Sequence, residues 1–404
     1  MREAVRVLDL EALQWLRTPA GTAAIELARD LLADGKDLMR ILERLRPIVG
    51  SDRAGPAWEV ARLREIARPK FGADAEVMWF TVQTLEQAGR PELAARRAAR
   101  LLRGGSATVA DLGCASGTAT VALARAGARV LAVDRDPVAR ELTTANVEAL
   151  GLADRGEVVD ADIVALVRGG LPGSAAATLD PARRADGRRT FDPRRWSPPW
   201  STVTALLDRV PASVVKVAPG LDHALIPDGV EAEWVSVGRS IVEALLWGRE
   251  RAETWRRATL VRDGVVLELT ADADPGRAQA GPVQTWLHEP DPAVIRSGLV
   301  SLVAADLGAT LVDPMIAYLT SGNAADSPWV SSYRIDDVLP YNLKKLKALL
   351  KARGVGRVVV KKRGSRIEPE TLARQLRGLG RGTATVVVTR VAGEPTALVC
   401  DVSG

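Results

Sequence analysis

The chain has 404 residues, of which 47% are apolar, enough for sizeable cores and too many residues for one typical domain, so two or three domains are expected. Lys and Arg number 55 against 50 Asp and Glu, a net charge of +5 that is small for this length, so where the charge sits matters more than its sum. Met1-Arg-Glu-Ala-Val-Arg has no apolar signal stretch, no run of about eighteen uncharged apolar residues occurs, and Cys114 and Cys400 are the only cysteines; the reading is a soluble cytoplasmic protein with no membrane partner, no disulfide framework and no metal site.

From residue 22 to about 103 the apolar spacing is helical. Ile25, Leu27, Leu31 and Leu32 share one helix, and Leu38, Ile41, Leu42 and Leu45 share a second that Pro47 should end. Further helices are predicted over 58–67, 74–88 and 91–103, with Asp74 as an N-cap and Pro91 in a first turn. Alternating strand and helix patterns run from Ser106 to about Asp222 and call for a parallel sheet flanked by helices, with strands near Val109, Val130, Val158, Ala176 and Val214. Segments 232–247 and 256–269, the latter turning at Arg262-Asp263-Gly264, fit an antiparallel strand pair. Asp291-Pro292 should open a helix through Ala305, and 314–320 reads as a short strand.

After Ser327-Pro328-Trp329 the character changes. Residues 333–338, 342–353, 356–362, 369–378, 384–390 and 396–402 read as strand, helix, strand, helix, strand, strand, with Ala392-Gly-Glu-Pro395 as the last turn. The expected division is a helical N-terminal domain over 1–104, an α/β domain over 105–328 and a compact α+β module over 329–404.

The chemistry concentrates in Val109-Ala-Asp111-Leu-Gly113-Cys-Ala115-Ser-Gly117. Val109 and Ala110 end an apolar strand, Gly113 and Gly117 let the backbone pass close to a ligand, and 118–126 reads as the following helix. Residues 130–133 form the next strand, and Asp134 at its end can accept both hydroxyls of a ribose, so the layout is an adenosine-cofactor pocket. A dinucleotide fingerprint starting at Gly113 would need glycine at 115 and 118, where Ala115 and Thr118 stand, which argues against a dehydrogenase.

Asp111-Leu-Gly113-Cys-Ala115-Ser-Gly117 resembles motif I of the class I S-adenosylmethionine-dependent methyltransferases, with Ala115 where that family usually has glycine. The resemblance implies a Rossmann-like methyltransferase sheet, S-adenosyl-L-methionine as cofactor, and Asp134 on the ribose. An acid after the third strand orients the adenine in that family, here Asp160 or Asp162, of which Asp162 is favoured. Leu179-Asp180-Pro181-Ala182-Arg183 is similar to motif IV, whose acid and neighbouring carbonyl hold an amino or ring nitrogen in several nucleic-acid methyltransferases; Asp180 and Pro181 are the candidate acceptor-site residues. Methylation of a pyrimidine C5 needs a cysteine nucleophile near motif IV, and neither cysteine is there, so transfer to nitrogen or oxygen is expected. Trp196 or Trp200, just downstream, could offer a stacking face.

Between Arg183 and Arg195 lie six arginines against two aspartates, a loop that would attract an anionic substrate, with Arg183 and Arg184 nearest motif IV. His223 could reach the acceptor or pack locally. From 344 to 366 there are ten basic residues and no acid; Leu343, Leu346, Leu349 and Leu350 form the buried face of a helix, leaving its lysines outward, and Lys361, Lys362 and Arg363 extend the basic surface.

This C-terminal part, from Tyr333-Arg-Ile-Asp-Asp-Val-Leu-Pro-Tyr through Val358-Val-Val-Lys-Lys-Arg-Gly364, looks like the THUMP-like domain attached to a bacterial branch of class I methyltransferases. The order of helical region, glycine loop, Leu-Asp-Pro-Ala-Arg and this module is similar to those proteins over nearly the full length. THUMP domains deliver structured RNA, often transfer RNA, to an attached catalytic domain, so an RNA substrate, transfer or ribosomal, is what the resemblance implies. Two other readings stand beside it: a small-molecule methyltransferase acting on an anionic substrate, and an inactive RNA-binding factor. The sequence leaves the oligomeric state open.

Overall fold

The computed structural model describes residues 8–403 apart from 106–107, 172, 183, 186–187, 190–191 and 379. Its contacts divide the chain into two compact units: residues 1–230 with 245–252, and residues 231–244 with 253–404.

The first unit opens with helices α1 (Leu10–Leu16), α2 (Pro19–Ala33), α3 (Leu38–Val49) and α4 (Ser51–Phe71). Asp9, Thr18 and Asp37 cap the first three, each side chain accepting a backbone N–H of the first turn. Pro47 does not end α3: it sits in the last turn, where the helix loses one hydrogen bond to the carbonyl of Glu43 but continues to Val49 and stops at Gly50 with φ 84°. The expected helix over 74–88 is also absent as such. A 3-10 turn, Gly72–Glu76, is followed by a non-helical stretch in which Met78, Trp79 and Phe80 are all buried, and α5 (Val82–Gln87) begins at a Thr81–Thr84 capping box. Three consecutive buried side chains cannot share one helix face, so the chain leaves the helix there. Helix α6 (Pro91–Leu101) follows, with Pro91 in its first turn as expected.

Strand and helix then alternate: β1 (Thr108–Leu112), α7 (Thr118–Arg125), β2 (Arg129–Val133), α8 (Pro137–Ala149), β3 (Gly156–Val159), α9 (Ile163–Gly169), β4 (Ala176–Leu179), the two-residue strands β5 (Arg184–Ala185) and β6 (Arg188–Arg189), α10 (Trp200–Arg209) and β7 (Ser213–Val217). All five expected strands form. They pair in parallel in the order β7-β4-β1-β2-β3. The order reverses between β1 and β4, which opens a crevice at their carboxyl ends, the place where such sheets bind ligands. The N-terminal helices are not a separate body, because their apolar core also includes Leu142 and Ala145 of α8.

The second unit holds β8 (Glu231–Val237), the first part of β9 (Ser240–Trp247), β10 (Arg256–Arg262) and β11 (Val265–Ala271). The expected single strand over 232–247 is two, and β10 pairs in parallel with β8 and antiparallel with β11 across the 263–264 turn. After β12 (Trp286–Pro290), the expected helix from Pro292 breaks at Gly298, with φ 82°, into α11 (Pro292–Ser297) and α12 (Val300–Asp306). Then come β13 (Thr310–Asp313), β14 (Ile316–Ser321), β15 (Val330–Pro340), α13 (Leu343–Ala352), β16 (Val355–Lys362), α14 (Pro369–Leu376), β17 (Gly382–Val391) and β18 (Glu394–Ser403).

These strands form a sheet ordered β13-β14-β12-β15-β18-β17-β16. The compact units therefore differ from the three-part division expected from sequence. The long β15 pairs with both β12 and β18, so one sheet takes strands from either side of residue 329. Among the described residues no helix is long and apolar enough to cross a membrane.

Candidate active site

The first unit's site begins with Asp111. It lies on β1 and is 3% exposed, and Thr120 Oγ1 of α7 donates to its Oδ2 at 2.5 Å. Burial raises its pKa to about 6; the Thr120 hydrogen bond opposes this, and the charges of Asp180 and Asp134 add to it. Three acids that are far apart in sequence thus come within electrostatic reach of one another.

The loop after β1 is tied to the end of β2. Gly113 N and Cys114 N both donate to Val133 O, at 2.8 and 3.2 Å, and Gly117 N donates to Cys114 O at 2.7 Å. Gly113, Ala115 and Gly117 all have positive φ, of 84°, 52° and 76°. Ala115 is the one that carries a Cβ there, a conformation about 1 kcal/mol or more unfavourable for such a residue. It is held by both backbone groups: its N–H donates to Asp134 Oδ2 at 3.2 Å, and its carbonyl accepts from Thr143 Oγ1 at 3.2 Å. Asp134 Oδ1 takes Asp136 N at 3.0 Å, so this carboxylate is turned toward the glycine loop and fixed there.

Room around the loop is limited on two sides. A Cβ at Gly117 would lie 3.1 Å from Thr143 Cγ2, and one at Gly113 would lie 3.4 Å from the Asp180 carbonyl oxygen and 4.0 Å from Ile163 Cδ1. The β4 end and the β3–α9 turn therefore border the same cradle. Asp162, in that turn, caps α9 through Val164 N at 2.7 Å and Ala165 N at 3.1 Å and meets Arg135 at 3.3 Å. Asp160 instead pairs with Arg140 at 3.1 Å. The hydroxyl of Thr118, in the first turn of α7, is buried and has no hydrogen-bond partner. A close backbone loop, a fixed strand-end carboxylate and an unsatisfied hydroxyl at a helix start suit an adenosine-bearing group.

Asp180 directly follows β4 and meets a residue that sequence reasoning passed over. Lys216 Nζ on β7 donates to Asp180 Oδ2 at 2.7 Å. The signal was present in Ser213-Val-Val-Lys216-Val, a lone charge in an apolar strand. Lys70 of α4 lies close enough that its pKa is lowered, first by burial and then by the charge of Lys216. Asn146 was also missed: it is fully buried on α8 and donates to Ser116 O at 2.8 Å. No spacing rule marks a lone helix asparagine.

Ala182 and Ser197 exchange backbone hydrogen bonds at 2.8 and 3.0 Å, which returns the chain to motif IV after the arginine-rich loop. Trp196 is 4% exposed and packs edge-on against Trp200, so Trp196 is a core residue and offers no free face for a base. Arg183 lies outside the described residues, and Arg184 pairs with Arg189 in the short β5–β6 ladder. His223 opens a one-turn 3-10 helix. Both thiols are buried and shifted up in pKa, Cys400 to about 12, which removes them as nucleophiles. Among the described residues no cluster of His, Cys, Asp or Glu could hold a metal ion.

In the second unit, Lys361, Lys362 and Arg363 are all engaged. Lys361 donates to Glu289 at 2.7 Å and lies over the Tyr333 ring; burial would lower its pKa, but the bonds to Glu289 and Tyr333 outweigh this and raise it. Lys362 pairs with Glu368 at 2.9 Å, and the Arg363 guanidinium sits over Tyr318. Lys344, Lys345, Lys347 and Lys351 of α13 are exposed.

Comparison with known proteins bears on both units. Residues 330–402 match the model of the THUMP domain-like family, and residues 9–67 match a domain family of unknown function. The chain is 33% identical over 305 residues to an uncharacterized S-adenosylmethionine-dependent methyltransferase of Mycobacterium tuberculosis, found alike in strains CDC 1551 and H37Rv, covering 74% of this chain and 80% of the relative. It is 39% identical over 71 residues to a protein of Pyrobaculum aerophilum named a probable cobalt-precorrin-6B C(15)-methyltransferase, covering 17% of this chain and 35% of that protein. Among solved structures, a methyltransferase-like protein from Porphyromonas gingivalis W83 superposes with a TM-score of 0.71 at 18% identity over 97% of each chain, a likeness of fold.

Proposed function

The chain belongs to the S-adenosylmethionine-dependent methyltransferases, and from that premise we propose that it methylates a base nitrogen of structured RNA, either transfer or ribosomal. The enzyme uses S-adenosylmethionine, which when bound supplies a methyl group already activated on a sulfonium sulfur. The work left to the protein is binding and orientation, and a strong general base is not required.

In this reading Asp134 holds the ribose hydroxyls through the lone pairs that the amides of Ala115 and Asp136 leave free. The backbone of Gly113, Ala115 and Gly117 borders the donor, Asp111 holds the start of α7 through Thr120, and Asp162 takes the adenine edge. Asp180 and the Pro181 segment hold the acceptor N–H. The observation that carries the proposal is the approach of the Asp180 carbonyl to Gly113, 3.4 Å from where a Cβ would stand, because it supports one crevice for donor and acceptor.

The RNA assignment is supported by the THUMP domain-like match and by the exposed lysines of α13. Arg183 and Arg184 are proposed to draw phosphates toward motif IV, and Lys361 to Arg363 to contribute the fixed part of the basic surface. A cytoplasmic setting is part of the same proposal, since donor and RNA meet there. Nucleoside mass spectrometry of total RNA from cells with and without the gene tests it. A methylated base missing from the deletion strain supports the reading, and identical nucleoside profiles reject it.

A further inference from the structure

Lys216 is the only charge in β7, and its side chain is 13% exposed against 44% for Asp180, whose Oδ2 it meets at 2.7 Å. An ion pair whose carboxylate is exposed contributes little to stability. Stability alone therefore does not explain a lysine in this strand. Leu179 and Val215 are in register between β4 and β7, so Asp180, just past β4, and Lys216, near the end of β7, come side by side at the carboxyl edge. Lys70 places a second positive charge within electrostatic reach of Lys216.

We infer that Lys216 is a positioning residue for methyl transfer, which holds one oxygen of Asp180 and thereby aims the other at the acceptor N–H. The inference rests on the reading of Asp180 as the acceptor-holding carboxylate. Lys216 makes and breaks no bond to the substrate. It acts through the carboxylate, whose rotamer would otherwise be free at a half-exposed position. Directing the carboxylate matters because a misplacement of about 1 Å can lower a rate about 100-fold.

The test uses the full chain, tritium-labelled S-adenosylmethionine, and total RNA from a strain lacking the gene. Lys216→Met is expected to lower kcat about 100-fold, with the Kd for S-adenosylmethionine and the KM for RNA changed less than about twofold. Lys216→Arg should recover activity to within about fivefold of wild type, since its guanidinium can take the same oxygen. In an Asp180→Asn background, Lys216→Met should cost less than about twofold more. Full kcat in Lys216→Met, or a loss that multiplies with that of Asp180→Asn, would overturn the inference.

If the wild type transfers no label to RNA, it is the RNA reading that fails. Crystal structures of the wild type and Lys216→Met then decide the role of Lys216. A carboxylate of Asp180 that turns away in the variant upholds it, and one that stays in place refutes it.

Discussion

Asn146 brackets the backbone of Trp79 from both sides: its Oδ1 accepts the Trp79 N–H at 2.6 Å, and its Nδ2 donates to the Trp79 carbonyl at 3.0 Å. The same amide nitrogen donates to Ser116 O, so one buried side chain joins the segment that interrupts the helices to the loop of the donor cradle. Every polar atom of the amide is used, which is the condition under which a buried polar network stabilises.

Asn146→Leu keeps the volume and strands three backbone groups in an apolar setting. The expected loss is about 2–4 kcal/mol by urea denaturation, with weaker S-adenosylmethionine binding by calorimetry because the Ser116 carbonyl loses its anchor. A variant as stable as wild type would show that water or a shifted backbone replaces the amide.

Two small changes in the loop should act in opposite directions. Ala115→Gly relieves a Cβ at φ 52° and should leave stability unchanged or raise it by up to about 1 kcal/mol. Gly117→Ala adds a Cβ at φ 76° that would stand 3.1 Å from Thr143 Cγ2 and should cost more than about 1 kcal/mol. Thermal unfolding of both variants, with and without S-adenosylmethionine, reads the difference.

Asp111 gives the stability a pH dependence of known sign. Its folded pKa, about 6, lies above the ordinary carboxylate value, so the native state holds the proton more tightly than the unfolded chain. That contribution is complete below about pH 4 and is lost as pH rises toward about 6. Asp111→Asn keeps a hydrogen-bonding side chain without the ionisation, so the gap in unfolding free energy between variant and wild type should change between pH 4 and pH 7, in favour of the variant, by roughly 3 kcal/mol at most. A pH-independent gap would mean that the buried group does not titrate in this range.

The basic surface of the C-terminal part should divide into mobile and fixed lysines. Lys344→Ala, Lys345→Ala and Lys347→Ala together should reduce the slope of log affinity for single-stranded RNA against log salt by about 2, with little change in melting temperature, because these side chains are exposed on α13. Lys361→Ala leaves Glu289 with its ammonium partner gone and should lower the melting temperature instead. Binding measured at four salt concentrations separates the two effects.

The five central strands were legible because each is a short, largely apolar run, four of them followed directly by Asp or Gly and the fifth by Ala218-Pro219-Gly220, and the parallel order followed from the helices between them. The glycine loop was legible for the same reason: positive φ restricts residue choice, so the backbone conformation is written in residue types. Asp134 lies where a strand-end acid was expected, and its carboxylate turns to the loop. Helix boundaries were less legible. Pro47 and the 74–88 segment were judged by local propensity, while burial of Met78, Trp79 and Phe80 and the amide of Asn146 decided the latter in three dimensions.

By itself the sequence determined the methyltransferase-like order of strand, loop and acid, and the basic character of the C-terminal part, because periodicity, glycine conformation and net charge are local properties. Only the tertiary structure decided which charges are spoken for, Lys216 on Asp180 and Lys361 on Glu289, and that Trp196 lies in the core. It also decided that one sheet recruits strands from both sides of residue 329. The physical reason is that ion pairing, burial and strand partnership depend on groups tens of residues apart, whose approach is set by the packing of the whole unit and leaves no mark in the spacing of neighbours.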